Sequence, residues 1–116
     1  MNKAELLRTR WKTAQLIRIG NRNKNALKWS PNETEEHISM KFQIAKYLLK
    51  KGEEYYSEAI FANGSGKCDI LAADRQVCYE VVSSETEISI AKKRAKYPLP
   101  VIFVNANQEF DEKLIN

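Results

Sequence analysis

Between residues 55 and 104 the chain runs through three short β-type segments, a helix-type segment and a fourth, wholly apolar β-type segment. That order constrains the fold more than any other feature. Strand, helix, strand in succession implies a right-handed parallel crossover within one sheet. Residues 55–62 are aromatic and β-branched in character, and Asn63-Gly64-Ser65-Gly66 is a turn. Residues 67–73 and 77–83 are further strand candidates, separated by the polar Asp74-Arg75-Gln76. Residues 101–104, Val-Ile-Phe-Val, have the pattern of a strand buried on both faces. Ser84-Glu85-Thr86-Glu87 is a capping box that predicts a helix to about Lys96, ended by Pro98 and Pro100.

Two helices are expected upstream. Residues 3–19 place Leu6, Leu7, Trp11, Ala14 and Ile17 or Arg18 at roughly helical spacing, and Gly20 with the run Asn21–Asn25 stops them. Ser30-Pro31-Asn32-Glu33 is a second capping box with proline at the first helical position, and the helix it starts should reach Lys51 before Gly52. Ile38, Phe42, Ala45 and Leu49 form one stripe, widened by Ile44 and Leu48. At 100° per residue His37 and Lys41 fall inside this apolar arc, where polar groups need partners. The expected fold is therefore α/β: an αβββαβ order with a mixed four-stranded sheet flanked by helices, preceded by a basic helical arm. Residues 1–29 form the arm and residues 30–116 the domain. A chain of 116 residues with 43% hydrophobic and 29% charged residues has room for one core.

The net charge of +4 conceals an asymmetry. Residues 1–31 carry eight Lys and Arg against Glu5 alone, a balance of +7, and the rest of the chain is −3. A basic arm on a mildly acidic domain suggests a polyanionic partner, nucleic acid above all. Arg8, Arg10, Lys12 and Arg18 are the candidate phosphate contacts of the arm. No stretch is apolar enough to span a membrane, and no secretory signal pattern opens the chain, so a cytoplasmic protein is expected. On strict strand alternation Cys68 and Cys78 point to opposite faces and should not pair as a disulfide.

The hairpin carries the chemistry. If its connection is centred between Asp74 and Arg75, Asp69 lies opposite Glu80 with Cβ atoms ~5 Å apart, and Lys67 lies opposite Val82. Opposed like charges are destabilising unless a cation lies between them or one is protonated. Oxygen ligands of this kind suit Mg²⁺ or Mn²⁺. A carboxylate pair with a lysine is the equipment of metal-assisted phosphodiester hydrolysis.

At this point the residues reach a known pattern. The αβββαβ order with Asp69 on the second strand and Glu80 on the third resembles the PD-(D/E)XK nuclease superfamily, over roughly residues 32–105. His37-Ile38-Ser39-Met40-Lys41, then Glu58, Asp69 and Glu80-Val81-Val82-Ser83, is similar to the competence CoiA-like nucleases within it. The resemblance implies a restriction-endonuclease-like core acting as a metal-dependent DNA endonuclease. It implies Asp69 and Glu80 as metal ligands, with Lys41, Glu58 and His37 completing the catalytic set. Two departures stand out: Cys68 replaces the proline before the aspartate, and Val82 occupies the position of the motif lysine. Lys41 or Lys67 is then the expected surrogate, with Lys67 otherwise a phosphate contact. The rival expectation is a DNA-binding protein that keeps the fold without the chemistry. A nuclease this small is expected to need a homodimer to span both strands of a duplex, although the sequence has no dimer signature.

Other charged clusters have plainer explanations. Glu35 and Glu36 suit a first helical turn, and Lys92-Lys93-Arg94-Lys96 suits a helix C-terminus, through the dipole. Trp11 and Trp29 read as packing residues.

Overall fold

The structure, a computed structural model, describes all 116 residues. Its elements are α1 (Lys3–Ala14), α2 (Glu35–Lys50), β1 (Tyr55–Ile60), β2 (Lys67–Ala72), β3 (Val77–Val82), α3 (Glu87–Lys96) and β4 (Val101–Asn105). The four strands lie in the order β1-β2-β3-β4; the first three are antiparallel, and β4 runs parallel to β3. The α/β class and mixed sheet agree with the sequence reading. No helix is long and apolar enough to cross a membrane.

Each face of the sheet carries its own core. On one face Met40, Ile44, Ala45 and Leu48 of α2 pack on Tyr55, Ile70, Ala72, Tyr79, Val81 and Val104. On the other, Ala14 and Ile17 meet Tyr56, Ala59, Phe61, Cys68, Leu71, Cys78 and Val101. The N-terminal segment is therefore part of the fold. Thr13 Oγ1 donates to Ala73 O at 2.9 Å, and the Arg10 guanidinium grips Asp74 through two hydrogen bonds of 2.7 and 2.9 Å.

Helix boundaries differ from those expected. The first helix stops at Ala14 rather than residue 19, because Ile17 bridges to Phe61 and Ala62 donates its N–H to Leu16 O. Pairing with the chain beyond β1 outcompetes helical continuation. The other two helices start later than their Ser-Glu boxes suggest. Thr34 and Thr86 are the N-caps, accepting from His37 and Ser89. Only half of the first box forms, Ser30 N–H to Glu33 Oε1 at 3.0 Å. The buried stripe of α2 is rotated from the expected one: Phe42 and Leu49 are exposed, while Met40 and Lys41 are buried.

The hairpin register is the one expected. Ile70 faces Tyr79, Leu71 faces Cys78 and Ala72 faces Val77, leaving residues 73–76 as a four-residue connection. Strict alternation fails at one level of the sheet on two paired strands, at Glu58 of β1, whose φ is +49°, and at Asp69 of β2. The β1–β2 ladder pairs Ser57 with Ile70 and Ala59 with Cys68, skipping Glu58 and Asp69. Ser57 and Ile70 keep the α2 side, whereas Cys68 turns to the opposite face, where Leu71 and Cys78 already lie. Cys68 and Cys78 consequently form a disulfide with Cα atoms 6.1 Å apart. This corrects the expectation that the two could not meet, and removes the cysteine argument for a reducing compartment.

Candidate functional site

Beyond the Ile70–Tyr79 pair the β2–β3 ladder ends, and two buried carboxylates occupy the place where it would continue. Asp69 Oδ2 accepts the Val81 N–H at 2.8 Å, and Glu80 Oε1 accepts the Asp69 N–H at 3.3 Å. Side chains thereby satisfy amides that the parting strands would leave unpaired, a requirement inside a core. The expected neighbourhood of Asp69 and Glu80 is present, as a clamp between side chain and main chain rather than a regular cross-strand pair.

Helix α2 supplies the next two residues. His37 Nδ1 lies 2.8 Å from Glu33 Oε2, and Nε2 lies 2.8 Å from Val81 O and 3.5 Å from Asp69 Oδ2. Both ring nitrogens face acceptors, so both carry protons. The hydrogen bond with Asp69 first, and that with Glu33, raise the imidazole to about 9 against the opposing effect of burial. With both ring nitrogens engaged, His37 holds Glu33 and Asp69 in position.

Lys41 is completely buried. Its ammonium donates to Lys28 O at 2.8 Å, to Glu33 Oε1 at 3.1 Å and to Glu58. Three protons have three acceptors. Lys41 therefore pins the segment before α2 to β1 and has no proton free for a substrate. Glu58 also pairs with Lys67, whose side chain is 51% exposed. Burial raises the Glu33 carboxyl, but hydrogen bonds with Glu58, the Ser30 amide, His37 and Lys41 outweigh it and hold Glu33 at about 2.

From the other face α3 brings Lys93. Its ammonium lies 3.4 Å from Glu80 Oε2 and donates to Glu85 Oε1 at 2.6 Å. Burial, then the charge of Asp69, push Glu80 up to about 7, against the pull of Lys93 and the Asp69 amide. Tyr97, just past α3, donates its hydroxyl to Lys67 O at 3.1 Å. Four carboxyl groups, those of Glu33, Glu58, Asp69 and Glu85, face four basic side chains, those of His37, Lys41, Lys67 and Lys93, and Glu80 is the one pushed towards neutral pH.

Sequence reasoning thus found Asp69, Glu80, His37, Lys41, Glu58 and Lys67 in one connected group. It missed Glu33, which it read as a helix cap, and Glu85. It also read Lys93 as part of a solvated run. Of the arm residues, Arg10 lies far from this group, bound to Asp74, and Arg8, Lys12 and Arg18 are exposed. Glu35 and Glu36 are exposed in the first turn of α2.

Three potential ligand residues meet closely at Cys68, Cys78 and Glu80, but the two sulfurs are committed to each other. That leaves the hard oxygens of Asp69 and Glu80. Asp69 Oδ1 takes part in no hydrogen bond, and Glu80 Oε2 has only the long contact to Lys93. Two carboxylates suit Mg²⁺ or Mn²⁺, which keep several waters and bind few protein ligands. No family model matches this chain, and no curated protein or solved structure matches it.

Proposed function

We propose that the protein is a metal-dependent DNA endonuclease with a PD-(D/E)XK-like core, in which Asp69 and Glu80 hold Mg²⁺ or Mn²⁺. The observation that supports this reading best is the pair of buried carboxylates at the point where β2 and β3 part, with Lys93 on Glu80. Burying two adjacent carboxylates is costly unless a cation joins them. A bound divalent ion would stabilise charge on a phosphoryl oxygen and acidify a water. His37 fixes Asp69, and Lys41 with Glu33 and Glu58 fixes α2 over the sheet. Lys93 is the lysine that reaches the carboxylate pair, and it takes the place left by Val82; Lys41 is fully engaged elsewhere.

The test is Mn²⁺ calorimetry and cleavage of plasmid and branched DNA with Mg²⁺ or Mn²⁺. Wild type should bind and cleave, Asp69→Ala should do neither, and Lys93→Met should bind Mn²⁺ without cleaving. Absence of Mn²⁺ binding by a folded wild type would overturn the metal assignment. The second reading is a DNA-binding protein without catalysis. Val82 favours it, and Mn²⁺ binding without cleavage by wild type would establish it.

A further inference from the structure

We propose that α3, rather than the N-terminal helix, is the phosphate-binding element, and that its ligand is a nucleic-acid backbone laid beside the Asp69–Glu80 pair. The proposal rests on the nuclease-like reading for its class of ligand.

Helix α3 buries no residue. Its attachments are made at the site itself: Lys93 to Glu80 and Glu85, Ser89 to Glu85, and the Arg94 guanidinium 5.3 Å from the Phe103 ring centre. At 100° per residue, Lys92 and Lys96 lie to the same side of Lys93, one turn apart. Both are exposed, and neither makes an ion pair or a side-chain hydrogen bond. Tyr97 ties the C-terminal end of α3 to Lys67 at the start of β2. Lys92 and Lys96 are thus unpaired cations on the helix whose Lys93 reaches Glu80, whereas Lys67, at the start of β2, is shared with Glu58. A polyanion bound by Lys92 and Lys96 would lie along the helix that contacts Glu80.

The N-terminal segment is less well placed, despite its larger charge. Arg10 is bound to Asp74, Arg22 donates to Ile17 O, and Lys24 faces Glu54. Arg8 and Lys12, two residues either side of Arg10, are exposed on the part of α1 turned away from Asp74. Asp74 lies in the turn beyond β2, five residues along the chain from Asp69 and at most about 16 Å from it.

The experiment measures binding of the full chain to a fluorescein-labelled duplex by anisotropy, in EDTA, from 50 to 200 mM salt. The double variants are Lys92→Gln with Lys96→Gln, and Arg8→Gln with Lys12→Gln. All four positions are exposed, and circular dichroism checks that each variant folds. The α3 variant should bind about tenfold more weakly, with a salt slope lower by about 1.8, or 0.9 per phosphate contact. The N-terminal variant should stay within about twofold of wild type. An equal or larger loss in the N-terminal variant would overturn the proposal, as would an unchanged α3 variant or no duplex binding by wild type. Equal affinity for polyglutamate would overturn nucleic acid as the ligand. EDTA makes this measurement independent of metal, so failure here and failure of Mn²⁺ binding are separate results.

Discussion

Asp69 and Glu80 each hydrogen-bond the main chain of the other's strand: Asp69 Oδ2 takes the Val81 amide, and Glu80 Oε1 takes the Asp69 amide. The carboxylates therefore hold β2 and β3 together where the ladder stops. They also place two negative charges in a buried gap, and this conflict gives the site its pH behaviour.

Stability should peak at mildly acidic pH. Glu33 is held at about 2, below its ordinary 4.5, so its contribution is present above 4.5 and is lost as pH falls towards 2. Glu80 is raised to about 7, so its contribution is full below 4.5 and is lost as pH rises through 7. His37 is raised to about 9, so its contribution is full below 6.5 and is lost as pH rises through 9. Metal-free melting temperatures should be highest near pH 5 and decline on both sides. A flat profile between pH 5 and 9 would contradict both raised groups.

Glu80→Gln should separate the acidic penalty from the hydrogen bond, because glutamine oxygen can still accept the Asp69 amide. The variant should melt higher than wild type at pH 8 and nearly equal it at pH 5, in the absence of metal. Mn²⁺ should then stabilise wild type and leave the variant unmoved. The same shift at both pH values would mean that charge is not the reason.

Lys41→Met should be strongly destabilising, by about 3–5 kcal/mol, as expected when one member of a buried ion pair is removed. Glu33 and Glu58 lose their shared ammonium, and Lys28 O loses its donor. Urea unfolding at pH 7 measures it. A loss below about 1 kcal/mol, within the range of a surface pair, would show that the network is not closed as described.

Arg10→Gln should act on stability and not on DNA affinity. The residue makes a two-pronged contact with Asp74 and caps Gly52 O at 2.9 Å. Charge-assisted hydrogen bonds of this kind are worth about 1.5–3 kcal/mol each when removed. Denaturation and anisotropy on the same variant check both halves, and weakened binding at unchanged stability would reverse the assignment.

Gly66→Ala should loosen α3 from the sheet. A Cβ at Gly66 would come within 2.8 Å of the Tyr97 ring, and the residue has φ of +144°. The ring must move, and with it the Tyr97 hydroxyl bond to Lys67 O. Faster amide exchange through α3, with exchange in β2 and β3 unchanged, is the expected result.

The element order, the mixed sheet and the Asp69–Glu80 neighbourhood were legible in the sequence. All three depend on local signals: alternation, capping residues, and a connection whose length sets the register. Helix ends were less legible, because Thr34, Thr86 and the Ile17–Phe61 bridge compete with equally plausible local caps, and only tertiary contacts choose between them. The Cys68–Cys78 disulfide was hidden because Cys68 leaves the face that Ile70 and Ala72 share, at the point of β2 opposite the positive φ of Glu58 on β1. Period-two reasoning has no means of anticipating such a flip. The roles of the lysines were decided by the tertiary structure alone. Lys41, Lys67 and Lys93 have the same chemistry in sequence, but packing surrounds the first with acceptors, leaves the second half in solvent and brings the third to Glu80. A side chain's neighbours across the sheet determine what its charge can do, and those neighbours lie far away along the chain.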